Sequence, residues 1–326
     1  MENKVRYNWA TLGTGVIANE LAQALQQLGG KLYSVANRTH QKGLDFAQKY
    51  GIEKVYDQID DVFKDENVDI IYISTPHNTH IDFLRKALKN GKHVLCEKSI
   101  TLNLEELEEA VLLAEQEHVV LAEAMTIYHM PLYEKLKQVV QTGKLGTLKM
   151  VNVSFGSCKE YDVTNRFFSP DLAGGALLDI GTYALSFARF FLSAQPHEVL
   201  TTVKKFETGV DEQSGIILKN DADEMAVVTL TMRAKMPKRG VVAGDLGFIT
   251  VDNFPRATRA MITYLDGTTE VVEAGVEAKA LEYEILDMEN YILNNGGDDV
   301  LQLSVDVMDI MTDVRNQWGI KYPFEK

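Results

Sequence analysis

Two clusters in this 326-residue chain combine proton chemistry with a suggestive spacing. Lys98 lies in Cys96-Glu97-Lys98-Ser99, and Tyr183 follows Asp179 by four residues in the run GGALLDIGTY at 174–183. Four residues make about one helical turn, so Asp179 and Tyr183 share a face of a helix. A carboxylate near a helix start is favoured by the macrodipole, and the phenol one turn deeper can give or take a proton. A lysine ammonium can hydrogen-bond a substrate hydroxyl or lower the pKa of a neighbouring acid. Each pair also has a plainer explanation. Lys98 can be a surface lysine paired with Glu97, and Asp179 with Tyr183 can be an N-terminal aspartate with a core tyrosine. A third cluster, Ser74-Thr75-Pro76-His77-Asn78-Thr79-His80, places two histidines three apart. No cysteine or carboxylate in the neighbouring sequence completes a metal site, so no metal is expected. Helix capping by Asn78 or Thr79 accounts for part of this run.

The fourth cluster, Gly13-Thr14-Gly15-Val16-Ile17-Ala18, has the form G-x-G-x-x-A. The first glycine allows a tight turn and the second lets a pyrophosphate approach the backbone. The small Ala18 permits close packing, and the following helix N-terminus favours the phosphate charge. A turn that serves packing alone is the alternative. At the end of the next expected strand stand Asn37-Arg38-Thr39. No carboxylate is available there to bond ribose hydroxyls or repel a 2′-phosphate, and Arg38 can pair with one. NADP is therefore favoured and NAD remains possible. Arg38 stacked on adenine or lying in solvent would leave selectivity weak. Thr75, Pro76, His77, His80, Glu97 and Lys98 follow strands whose C-terminal ends face a ligand crevice, which makes them candidate cofactor contacts.

These residues need a scaffold, and the hydrophobic pattern supplies one. Strands are expected at 6–12, 31–36, 69–74, 93–96 and 119–122. Helices with apolar residues at a 3.6 period are expected at 17–28, 40–50, 79–90 and 104–117. This alternation predicts a doubly wound parallel sheet, a Rossmann domain over residues 1–124. Beyond it, helices at 132–141 and 177–192 sit among alternating runs at 148–155, 200–206, 211–218, 225–232, 248–251 and 261–265. Two further helices follow at 281–293 and 300–318. The fold class is thus α/β, with residues 125–326 forming an α+β domain around a large open, mostly antiparallel sheet.

Composition narrows the function. The net charge of −14 is spread over both parts of the chain without a basic arm, so nucleic acid is not an expected partner. Two cysteines, Cys96 and Cys158, lie far apart and give no disulfide framework. The start, Met1-Glu2-Asn3-Lys4-Val5-Arg6, has no apolar core of a signal peptide. No apolar stretch approaches the ~20 residues of a membrane span. A cytoplasmic location without membrane association is expected.

Taken in order, GTGVIA, STPHNTH, CEKS and GGALLDIGTY resemble the glucose-fructose oxidoreductase/inositol dehydrogenase/MocA family over essentially the whole chain, Tyr322-Pro323 included. The D-I-G-x-Y form is similar to the branch with dimeric dihydrodiol dehydrogenases and NADP-linked xylose dehydrogenases. The resemblance implies an NAD(P)-dependent oxidoreductase acting on a secondary alcohol of a sugar, polyol or cyclic diol. It implies Tyr183 as general acid/base, Lys98 as the family's E-K-P lysine, and Asp179 as the residue orienting substrate or tyrosine. Arg166 matches a position that often lines the pocket. It also implies a homodimer or homotetramer built through the C-terminal sheet. Ser99 stands where the family usually has proline, and His77 where many members have asparagine. A non-catalytic dinucleotide or sugar sensor, or an isomerase or hydrolase that recycles its cofactor, would use the same fold.

Overall fold

The computed structural model describes residues 5–325, and everything below concerns those residues. The N-terminal stretch Met1 to Arg6, expected to carry no leader, falls partly outside them, at residues 1–4. The described chain divides into two compact units. One contains residues up to 101, 105–125 and 278–302; the other contains 102–104, 126–277 and the chain from 303 onward.

The first unit runs β1 (Trp9–Leu12), α1 (Val16–Gln27), β2 (Ser34–Ala36), α2 (His40–Tyr50), β3 (Lys54–Val55), α3 (Asp61–Lys64), β4 (Ile70–Ile73), α4 (His80–Lys89), β5 (His93–Glu97), α5 (Leu104–Glu117) and β6 (Leu121–Ala124). The strands pair in parallel in the order β3-β2-β1-β4-β5-β6. Both the β2 and β4 neighbours of β1 are later in sequence, so the order reverses at β1. Ligands of open α/β sheets bind at such a switch point, beyond the strands' C-terminal ends. All four residues of β1 and of β4 are buried, as expected of strands covered on both faces. Helix α1 buries Ala18, Leu21, Ala22, Ala24 and Leu25, one stripe at helical period.

The second part of the chain begins with α6 (Thr126–His129), α7 (Pro131–Gln141) and β7 (Leu148–Gly156). A wide π-helical turn over Leu177–Gly181 then runs into α8 (Thr182–Phe191). Seven strands follow: β8 (Glu198–Lys205), β9 (Asp211–Lys219), β10 (Met225–Thr231), β11 (Met236–Gly244), β12 (Gly247–Asp252), β13 (Arg259–Tyr264) and β14 (Thr269–Glu273). Helices α9 (Ala280–Asn294) and α10 (Asp298–Trp318) close the chain. The sheet order is β14-β13-β12-β11-β7-β10-β9-β8, antiparallel except for the β7–β10 pair.

One face of this sheet is core. Leu218, Ala226, Val151, Val242, Ile249 and Ile262 stand in register across six strands and are all buried. The opposite face carries Leu200, Ile217, Val227, Asn152, Val241, Thr250, Met261 and Val271, one aligned row across all eight strands. Along that row Leu200 is 64% exposed, Met261 41% and Val271 46%.

The α/β class holds, with several local differences. Strand β1 begins at Trp9 rather than 6, and β2 at Ser34 rather than 31. Elements β3, α3, α6, β11 and β14 were not expected. The helix expected at 177–192 opens with the π turn. Helix α9 belongs to the first unit although sequence placed it with residues 125–326. Its Glu289 accepts the indole N–H of Trp9 (3.0 Å) and the backbone N–H of Arg6 (3.0 Å).

Candidate active site

The β1–α1 turn has the shape of a phosphate cradle. Gly13 has φ +100°, and a Cβ on it would lie 2.9 Å from Ser74 Oγ, so glycine is required on two counts. Its N–H donates to the carbonyl of Ala36 (2.9 Å), tying the turn to the end of β2. A Cβ on Gly15 would meet no protein atom within 4 Å. That open side leads onto the N-terminus of α1, whose first turn, residues 16–19, carries no acidic residue. Val16 is 79% exposed there, while Ala18 is fully buried against the sheet. The bare apolar side chain, the open glycine and the helix N-terminus fit a dinucleotide pyrophosphate. Thr14 donates its hydroxyl to Asn37 Oδ1 (3.3 Å), and Asn37 donates to the Thr39 carbonyl (2.9 Å). Arg38 is exposed beside them.

The segment after β5 is pinned from several sides. His77 Nε2 lies 3.1 Å from the Lys98 carbonyl, and His80 Nδ1 lies 3.0 Å from that of Ser99. His80 Nε2 faces the Thr75 carbonyl at 2.8 Å. Burial holds the His80 pKa below its usual value. A neutral ring donates one N–H, to one of these two carbonyls at a time. The Ile100 N–H donates to Glu123 Oε1 (3.0 Å), and the Cys96 thiol contacts the Ile100 carbonyl (3.8 Å). The Lys98–Ser99 peptide is cis. The two histidines thus hold the backbone around Lys98, and no metal-binding group of three or more His, Cys, Asp or Glu occurs among the described residues. Thr79 precedes α4 without a side-chain capping bond. Its hydroxyl turns to the Pro76 carbonyl (2.7 Å) and Thr75 Oγ1 (2.8 Å).

Glu97 is half-buried and accepts the hydroxyl of Tyr72. Burial, reinforced by the nearby Glu284 carboxylate on α9, pushes the Glu97 carboxyl up to about 8. Burial likewise drives Tyr72 well above the normal phenol range. Near neutral pH this group holds a proton, so it adds little negative charge beside Lys98.

In the second unit, Asp179 lies in the π turn and Tyr183 in the first turn of α8. Among the described residues from Ala173 to Ala188, these two alone keep part of their surface exposed. An otherwise buried helix start thus presents one carboxylate and one phenol. Arg166 Nη2 lies 3.7 Å from Asp179 Oδ1, and its guanidinium stacks 4.3 Å from the Phe167 ring centroid. The Tyr183 ring packs against Phe155 with centroids 6.3 Å apart.

Sequence reasoning missed Tyr72, Glu123 and Glu284 in these arrangements, and it named Ser74 without its place beside Gly13. Glu123 was accessible through the rule that strand ends face the crevice. Glu284 comes from a helix 187 residues beyond Glu97 in the chain, and no local pattern ties the two.

Residues 7–125 match the family described as "Oxidoreductase family, NAD-binding Rossmann fold", and residues 133–250 match the "GFO/IDH/MocA C-terminal domain". A trans-1,2-dihydrobenzene-1,2-diol dehydrogenase of Xenopus laevis is 30% identical over 97% of this chain and 99% of its own. The scyllo-inositol 2-dehydrogenase (NADP(+)) IolU of Bacillus subtilis is 27% identical over 98% and 99%. The crystal structure of KijD10, a 3-ketoreductase from Actinomadura kijaniata in complex with NADP and TDP-benzene, superposes with TM-score 0.85. That likeness, at 21% identity over 95% of this chain and 97% of the other, is one of fold.

Proposed function

Because the chain belongs to the glucose-fructose oxidoreductase/inositol dehydrogenase/MocA family of oxidoreductases, we propose that it interconverts a secondary alcohol and its carbonyl on a cyclic diol, polyol or sugar, with NADP preferred over NAD. The observation that carries this proposal is the selective exposure of Asp179 and Tyr183 on an otherwise buried helix start. Names of relatives that act on a dihydrodiol and on an inositol with NADP(+) support the substrate class and the cofactor. So does the Asn37-Arg38-Thr39 sequence, with its guanidinium and no carboxylate.

Gly13, Thr14, Gly15, Val16 and Ile17 hold the dinucleotide, with Asn37 and Arg38 at its ribose and Thr75, Pro76 and Glu97 along the strand ends. His77 and His80 serve it through the backbone they pin. The dinucleotide, when bound, supplies the hydride acceptor or donor. Tyr183 Oη takes the hydroxyl proton as the alcohol becomes a carbonyl and returns it in reverse. An unperturbed tyrosine titrates near ~10, so the Lys98 ammonium makes it useful at neutral pH by favouring the phenolate or alkoxide. Asp179 orients substrate or tyrosine, and Arg166, paired with it, steers the carboxylate. The open outer face of the eight-stranded sheet supports association of two or four copies.

The test is a spectrophotometric scan at the absorbance band of reduced nicotinamide against cyclic diols, inositols and sugars, with Tyr183→Phe alongside. General acid–base help is worth ~10²–10⁴ in rate, so the variant loses that much turnover while binding dinucleotide normally. Wild-type turnover in Tyr183→Phe removes the proton-transfer role. Product formation without net cofactor reduction in the parent protein turns the assignment to a cofactor-recycling isomerase or hydrolase.

A further inference from the structure

The helix start that carries Asp179 and Tyr183 is held from behind by two buried groups outside the motif. At the head of β9, Asp211 is 2% exposed, and its Oδ2 accepts the Leu177 N–H at 2.6 Å. Its other oxygen closes the space beside Gly175, where a Cβ would lie 2.1 Å from Asp211 Oδ1. Gly175 has φ +117°, so the carboxylate fits only against a glycine in this conformation. On the C-terminal tail, Tyr322 is 2% exposed and donates its hydroxyl to the Gly174 carbonyl (2.8 Å).

The tail is itself fixed. Arg315 of α10 makes a two-pronged pair with Glu325 (2.6 Å on each oxygen) and lies over the Tyr322 ring at 4.9 Å. Glu325 also accepts the Tyr322 N–H at 2.8 Å. Backbone groups three residues apart, at Gly174 and Leu177, are therefore anchored to different elements, and the π turn with Asp179 begins at the second anchor. A helix start held at two points has little freedom to rotate or slide, and proton transfer is sensitive to such displacement.

We propose that Asp211 and Tyr322 are positioning residues, which together clamp the 174–177 turn and set the stance of Asp179 and Tyr183 for proton transfer. The inference rests on the catalytic role given to Tyr183 above. Both residues lie on other elements and act through the backbone that they hold. A buried carboxylate costs desolvation, and this one is committed to the Leu177 N–H at the start of the turn that carries Asp179. Arg315, Tyr322 and Glu325 are the titratable or charged groups of α10 and the tail that face this clamp.

The experiment compares Asp211→Asn and Tyr322→Phe in the full chain with NADP bound, reading kcat, KM, the pH profile of kcat, dinucleotide Kd and Tm. Displacement of a catalytic group by about 1 Å can cost about 100-fold, so Asp211→Asn lowers kcat by about 10- to 100-fold and Tyr322→Phe by a smaller factor. Dinucleotide Kd stays near the parent value, and the ionisation seen in the kcat profile moves in both variants. Tyr322→Phe keeps the ring and remains informative if Asp211→Asn folds poorly. Reduced Tm with parental kcat and superimposable normalised pH profiles overturns the proposal and leaves a purely structural cap. Tyr183→Phe run in parallel separates the two claims. If it is impaired while Asp211→Asn and Tyr322→Phe are normal, positioning alone falls. If it turns over normally, the catalytic role of Tyr183 falls first and takes this inference with it.

Discussion

Arg38 is exposed at the end of β2, with Asn37 and Thr39 as its only chain neighbours and no carboxylate among them. A guanidinium pairs with a phosphate through two parallel charged hydrogen bonds, which a ribose hydroxyl cannot match. Arg38→Ala should therefore weaken NADPH by about 10- to 100-fold, the equivalent of one or two charge-assisted hydrogen bonds, and leave NADH almost unchanged. Titrations of both reduced dinucleotides by fluorescence measure this directly. Equal losses for the two cofactors would place Arg38 over the adenine, which they share. His77 and His80 show the opposite relation between residue type and role. They were expected as cofactor contacts rather than metal ligands, and their ring nitrogens are turned to the carbonyls of Thr75, Lys98 and Ser99. A histidine has one or two donors and many uses for them, so its identity in a sequence says little until its partners are known.

At the scale of elements, periodicity worked best for amphipathic helices. Helices α2 and α5 begin and end at the residues expected, 40–50 and 104–117. Strand β11, Met-Pro-Lys-Arg-Gly-Val-Val-Ala-Gly, was missed because proline and glycine read as turn. It pairs through an irregular register between Met236 and Arg239, and Arg239 forms a cross-strand pair with Asp252 (2.7 Å) that no alternation reveals. The motifs fall at the Gly13 turn and at the start of α8, where Asp179 lies in a π turn rather than in the α-helix that the four-residue spacing assumed. Their supports come from afar, Glu284 for Glu97 and Asp211 for Gly175, and such contacts leave no mark on local sequence. These distant carboxylates carry a pH signature. Unfolded carboxyls titrate near ~4, whereas burial raises Asp211 to about 6 and Glu97 to about 8. Between those values the folded state holds protons that the unfolded state has lost, so these two groups make stability fall as pH rises. Tm should therefore decline from about pH 5 to about pH 8, with Asp211→Asn flattening the curve only in its lower part and Glu97→Gln flattening it across the whole window. Asp65 acts in the opposite sense: burial would raise it, but bonds from Lys54, Tyr56 and Asn67 outweigh that and hold it well below the usual range. Its contribution is lost only in stronger acid, outside this window. Melting curves for the two variants that parallel the parent throughout would show that neither group titrates as stated.

For the whole molecule, the proposed association of copies runs through the outer face of the eight-stranded sheet. A net charge of −14 opposes self-association in general, because like-charged surfaces repel. On this face the charges are balanced locally: Arg239 with Asp252 at 2.7 Å, Arg259 with Glu273 at 3.2 Å, and Lys219 with Glu198 at 3.5 Å. Beside these pairs runs the row from Leu200 to Val271, apolar at six of its eight positions and aligned across every strand. A flat surface with neutralised charge and an apolar stripe can meet its own copy about a two-fold axis, each residue of the patch facing the same patch on the other copy. One inserted charge is then buried twice in a dimer, at the cost of two unpaired ions rather than one. Met261→Glu, on a side chain already 41% exposed, should leave the fold and melting temperature of the single chain nearly unchanged and shift sedimentation from dimer or tetramer to monomer. A dimer persisting in Met261→Glu and in Val271→Asp would assign association to another surface. A monomeric parent protein at tens of micromolar, roughly where a standard-sized interface of about 1,600 Å² is expected to be occupied, would remove the sheet-mediated assembly altogether.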